Sequence, residues 1–221
     1  MFHQSLISRV KGEQKNYLLA LNLLCIYTHL VSINHRSNSR LSPEYVLLGF
    51  LYASPSHGYV LHGQLSREFG NIWHASQSQT YSILKRLEAQ GYVSSTNVEQ
   101  SKHPGRQLLQ ITDPGRTRFI TWLMQPTKSS VHAIRVEFVT RLYFLSKYYP
   151  DKTQELIRVQ IDTVNIGLIA LHEDMAKLLD SEIFERLALD LRVKLLNSSI
   201  IWLEECQVSL ASKQPTGVRR E

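Results

Sequence analysis

Gln77, Ser78, Tyr81, Ser82 and Lys85 set an amide, two hydroxyls, a phenol and an ammonium at positions i, i+1, i+4, i+5 and i+8. On a 3.6-residue period these groups share one face of a helix. Amides, hydroxyls and cations are the groups that bond base edges and phosphate oxygens. Gln pairs bidentately with adenine, Ser bonds phosphate or base, and Lys supplies charge to phosphate. A solvated helix face is the plainer alternative. A second basic group follows at Lys102, His103 and Arg106, around the Pro104-Gly105 turn, with a plain charged turn as its alternative.

A stiff helix must carry the first group. Ser76 is a good N-cap, and Gln79 three residues later completes a capping box. Thr80, Ile83, Leu84 and Leu87 make the opposite, apolar face, and Gly91 is the expected left-handed stop. Residues 92–98 are β-prone, and Leu108-Leu109-Gln110-Ile111 offers a return strand. A polar-faced helix followed by a hairpin with a basic tip is the layout of a winged helix-turn-helix.

Catalytic constellations are missing from the sequence. It has no Gly-rich phosphate loop and no Gly-x-Ser-x-Gly elbow. The nine His are scattered, and His172-Glu173-Asp174 are adjacent residues that point to different helix faces. Neither an enzyme nor a cofactor or metal is expected. Cys25 and Cys206 fit neither a metal spacing nor a disulfide framework, so the default home is the reducing cytoplasm.

Formal net charge is +6 over 221 residues, compatible with an anionic partner. Residues 1–40 carry an excess of four basic groups, residues 41–126 an excess of two, and residues 127–221 none. Nucleic-acid binding in the middle segment must therefore be local and geometric.

Residues 1–40 form an N-terminal extension containing an apolar run, 17–33, for which three readings compete. These are an extra helix or loosely ordered segment, a membrane anchor, and a signal peptide with a poor cleavage site. Ser42-Pro43-Glu44 then predicts a helix start with Ser42 as N-cap and Pro43 at N1. A second helix is expected over 58–69, with His57 capping it and Tyr59 packed in the core. Trp73 reads as a core plug. Arg86 is expected to pair near Glu88 or to reach the DNA backbone. Another helix starts at Thr112-Asp113-Pro114-Gly115 and ends before Pro126, which closes a domain at 41–126.

From about Val131 the pattern is helical. Val131, Ile134, Phe138, Leu142 and Leu145 follow a 3-4 spacing, and long helices are expected over about 151–179 and 182–210. Such a two-faced antiparallel hairpin leaves apolar surface that it cannot bury alone, which points to pairing with a second chain through residues 127–210. Residues 211–221 read as a disordered tail. Trp122, Trp202, Tyr143, Phe144, Tyr148 and Tyr149 could line an effector pocket, although aromatic residues at helical spacing are core more often.

Several blocks together resemble one family. They are Leu48-Gly49-Phe50-Leu51, Ser56-His57-Gly58-Tyr59, Trp73, Gln79-Thr80-Tyr81, and Leu84-Lys85-Arg86-Leu87-Glu88 with Gly91. Pro104-Gly105-Arg106 and Ile111-Thr112-Asp113-Pro114-Gly115-Arg116 complete the set. In this order and spacing they resemble the PadR family of bacterial transcriptional regulators, and the later helices resemble the dimerisation region of its longer members. The departures are Ala75-Ser76-Gln77 and Ser82, where the family usually carries Pro. The resemblance implies a mainly α protein and a homodimer that binds an inverted repeat in double-stranded promoter DNA. It also implies repression and release by a small aromatic effector. A winged-helix protein-interaction adaptor without DNA binding is the alternative.

Overall fold

The computed structural model describes residues 42–98 and 106–211. The apolar run 17–33, Lys102, His103 and the tail lie outside them. None of the described helices is long and apolar enough to cross a membrane.

Helix α1 is Glu44–Ala53, and Val46 to Leu51 are buried without a break. A helix apolar around its whole circumference belongs at the centre of a domain. It starts one residue later than the sequence predicts. Pro43 takes the N-cap place and offers its carbonyl to the amides of Val46 and Leu47 at 3.0 and 3.2 Å. The two-residue strand β1, Ser56–His57, leads into α2, Gly58–Phe69.

Helix α3, Gln77–Ala89, has the predicted capping box. The Ser76 hydroxyl accepts from Gln79 N at 3.2 Å, and the Gln79 carboxamide oxygen accepts from Ser76 N at 2.8 Å. Gly91 sits at φ +75°, with Gly91 N bonded to Glu88 O and Tyr92 N to Leu87 O. These two bonds are the Schellman pair that ends a helix in a left-handed residue.

Strands β2, Val93–Val98, and β3, Arg106–Ile111, are antiparallel, with Val93 opposite Ile111 and Val98 opposite Arg106. β1 adds to the other edge of β3, giving the order β1-β3-β2. Helix α4, Asp113–Met124, is capped by the Thr112 hydroxyl, which accepts from Gly115 N at 3.2 Å.

Helix α5 spans residues 131–148 and contains a π-helical stretch, Ile134–Phe138, followed by Val139–Tyr148. The wider turn shifts the helix's phase. Ala133, Val136, Thr140, Arg141 and Phe144 are therefore buried along with the expected Ile134, Phe138 and Leu145, while Val131 and Leu142 are only half-buried. Phe144 is fully buried, edge-on to Phe119 and Phe50 at 5.5 and 5.7 Å and stacked on Tyr148 at 5.9 Å. One core thus runs from α1, α2 and α4 into α5.

Arg141 is buried where α4 leads into α5. Its guanidinium donates to Gln125 O at 2.5 Å, Thr127 Oγ1 at 2.8 Å and Glu137 at 2.7 Å, and lies over the Trp122 ring. Gln160 closes the same corner by exchanging two bonds of 3.1 Å with the backbone of Thr127.

A 3-10 turn, Pro150–Lys152, precedes α6, Thr153–Ala176, so that helix begins later than the expected Asp151. Helix α7, Ile183–Ala211, packs along α6. Of its 29 residues only Leu196 and Leu203 are buried. Phe184, Leu187, Leu191 and Leu195 lie 43–83% exposed along one stripe.

Candidate nucleic-acid interface

α3 is held on its inner side by Thr80, Ile83, Leu84 and Leu87, all buried. The Thr80 hydroxyl donates to Ser76 O at 3.1 Å and lies 3.1 Å from His62 Nδ1 on α2. Gln77, Ser78, Tyr81, Ser82 and Lys85 all lie exposed on the outer side. The helix brings these five sequence-predicted groups together on one surface. Among the described residues no carboxylate lies within ion-pair distance of Lys85. Arg106 opens β3 opposite Val98, at the base of the hairpin tip.

The neighbouring Arg86 is committed elsewhere. Its guanidinium donates to Glu44 on α1 at 2.9 Å, and the other oxygen of that carboxylate takes Arg118 of α4 at 2.6 Å. The expected partner near Glu88 is wrong, because the local sequence does not reveal a carboxylate 42 residues away. Glu88 instead accepts a hydrogen bond from the Ser95 hydroxyl of β2.

Two further expectations are corrected. His57 occupies the N-cap of α2 but makes no side-chain cap bond; its Nδ1 lies 2.9 Å from Gln107 O on β3. A carbonyl only accepts, so Nδ1 carries the proton. Tyr59 is 49% exposed and stacks on His57 with ring centroids 5.8 Å apart. The inner face of α2 belongs to Gly58, Leu61, Leu65 and Phe69, and Tyr59 falls out of that phase.

Tyr59 and His57 form one wall of a cleft of about 590 Å3 between α2, α3 and β3. Tyr81, Ser82 and Lys85 form the facing wall, and Gln107 borders it. Sequence reasoning missed this cleft because β1 exists only through its pairing with β3. Among the described residues no group of three His, Cys, Asp or Glu side chains is placed to hold a metal ion. Of the aromatic group, Trp122 and Phe144 are buried, and Tyr143, Tyr148, Tyr149 and Trp202 pack half-buried against the core.

Residues 47–120 match the model of the Transcriptional regulator PadR-like family. The chain is 27% identical over 140 residues to the negative transcriptional regulator PadR of Bacillus subtilis, covering 62% of this chain and 75% of that protein. It is 30% identical over 82 residues to the probable transcriptional regulator Rv1176c of Mycobacterium tuberculosis, covering 37% and 43%. Among solved structures it is similar to Bacillus subtilis PadR in complex with operator DNA, with a TM-score of 0.37, 24% identity and coverage of 76% and 98%. The PadR-like regulator BC1756 of Bacillus cereus gives a TM-score of 0.37, 21% identity and coverage of 79% and 99%. With the family blocks, the capped polar-faced helix and the hairpin beside it all falling within or next to the matched residues, the chain carries at 47–120 the domain of the PadR-like transcriptional regulator family.

Proposed function

We propose that this regulator binds promoter DNA as a homodimer and represses by covering an inverted repeat. Residues 41–126 are the DNA-binding part and 127–210 the pairing part. Each protomer lays α3 in a major groove, and the half-sites lie roughly 34 Å apart, or a multiple of that. Gln77, Ser78, Tyr81 and Ser82 give register and base readout, and Lys85 gives phosphate affinity. Lys102, His103 and Arg106 extend the contact at the hairpin tip.

The exposed polar face of α3, with Lys85 outside any described ion pair, carries this reading. Pairing is supported by the exposed stripe of Phe184, Leu187, Leu191 and Leu195 on α7. Apolar surface of that kind is worth about 25 cal/mol per Å2 once covered. Repression is supported by the name of the Bacillus subtilis relative, a negative regulator. Release by a small aromatic effector and a cytoplasmic site of action belong to the same proposal, on the family likeness alone.

The test is a titration of the purified chain against the DNA upstream of its own gene and against an unrelated duplex, at several salt concentrations. Tighter binding to the first, weakening steeply with salt, is expected. Absence of binding to either duplex at low salt would favour the protein-adaptor alternative.

A further inference from the structure

The cleft between α2, α3 and β3 shares Tyr81, Ser82 and Lys85 with the recognition face, but its His57, Tyr59 and Gln107 have no role in that reading. Its floor is Leu84 and Leu109, both buried, and Tyr59, Tyr81, Ser82, Lys85 and Gln107 lie exposed around it. We propose that this cleft seats the sugar–phosphate backbone of the DNA strand passing between α3 and the hairpin, with Tyr59, His57 and Gln107 touching it. The inference rests on the DNA-binding reading above and extends it to residues outside the recognition helix.

Geometry comes first. A helix with its side chains is about 10–12 Å across, and the major groove is about 12 Å wide. A helix filling that groove has the bordering phosphates against its flanks. One flank of α3 is the edge formed by Tyr81, Ser82 and Lys85, and that edge is a wall of the cleft. Exposed lining side chains suit a polymer lying across them, whereas small-molecule sites bury most of their ligand.

The wall chemistry agrees. Tyr59, Tyr81 and His57 present flat apolar faces with polar edges, the combination that packs on deoxyribose and bonds phosphate oxygens. The bond between His57 Nδ1 and Gln107 O fixes the imidazole between α2 and β3. Lys85 is the lining ammonium. Glu88 is the lining acid, and its carboxylate accepts from Ser95 on β2. Gly58 matters here by what it lacks: a Cβ at that position would stand 2.8 Å from the Tyr81 ring. The bare backbone lets that ring close over the start of α2.

The seat predicts contacts that are indifferent to sequence. The test uses the full chain with Tyr59→Ala, Gln107→Glu and Lys85→Ala, all exposed positions, titrated against upstream and unrelated duplexes. Phosphate ethylation interference is mapped on the upstream duplex with wild type and Tyr59→Ala. Tyr59→Ala and Gln107→Glu should each weaken binding about fivefold or more on both duplexes. One phosphate whose ethylation blocks the wild type should become indifferent with Tyr59→Ala. If both variants bind like wild type while Lys85→Ala is weakened, the seat is wrong and the DNA reading stands. If the wild type binds no duplex at low salt, the reading fails and takes the seat with it.

Discussion

The carboxylate of Glu44 holds Arg86 of α3 at 2.9 Å, across 42 residues of sequence. Its other oxygen holds Arg118, whose guanidinium lies over the Tyr92 ring at 4.4 Å. One side chain at the start of α1 thus ties down α3 and α4. Arg86 therefore orients α3, while Lys85, one residue earlier, faces outward. Arg86→Ala should leave the slope of log affinity against log salt unchanged. Lys85→Ala should reduce that slope by about 0.9, the loss of one phosphate contact. Glu44→Ala removes the partner of both arginines and should cost about 1–2 kcal/mol in denaturant unfolding. Because Arg86 is half exposed, Arg86→Ala alone should cost about 0.5 kcal/mol or less.

Gly58→Ala separates affinity from stability. The added methyl meets the movable Tyr81 ring rather than backbone. The melting temperature should therefore stay nearly constant while Tyr81 is pushed out of place. DNA affinity should fall by about fivefold, the worth of roughly one hydrogen bond. A variant that melts like wild type and binds DNA equally well would remove Tyr81 from the interface.

The stripe on α7 makes a prediction about assembly. Leu187 and Leu191 are 58% and 57% exposed in the single chain. Burying each leucine is worth roughly 1.5–3 kcal/mol, and a two-fold interface uses each position twice. Leu187→Glu with Leu191→Glu should raise the dimer dissociation constant by at least about a hundredfold. Sedimentation equilibrium reads the effect directly, and a wild-type chain that sediments as a monomer at high concentration would refute pairing.

Burial pushes the Tyr148 phenol up to about 12, and burial together with the Glu68 hydrogen bond raises Tyr143 as well. Both phenols are raised in the folded chain, so their contribution is intact below the ordinary tyrosine value near 10. It is lost as pH rises from there through the folded values. Urea midpoints should therefore be flat from about pH 7 to 9 and fall above about pH 10. Tyr148→Phe also removes a 2.8 Å bond to Gly49 O, so it should start lower but fall less steeply.

What the sequence made legible is what local chemistry decides. Ser76, Gln79 and Gly91 announce both ends of α3 through bonds that span at most five residues. The polar face of that helix was readable for the same reason. Residues paired across long stretches of chain were not. β1 exists because Ser56 and His57 find Leu109 and Leu108, and two residues carry no periodicity of their own. With β1 unseen, His57 looked like a cap and Tyr59 like core. The π-helical stretch at Ile134–Phe138 likewise breaks the 3-4 spacing that placed Leu142 inside.

Phe144 lies wedged among Phe50, Phe69 and Phe119, and Arg141 pins the corner where α4 leads into α5. That packing joins the winged-helix part to α5 in one core. On the proposed DNA-binding and pairing reading, such a molecule would behave as a fixed caliper. Adding one base pair between half-sites turns one of them by roughly 35° about the duplex axis. A jointed protein would follow that rotation; this one would have to twist the DNA back or release one half-site.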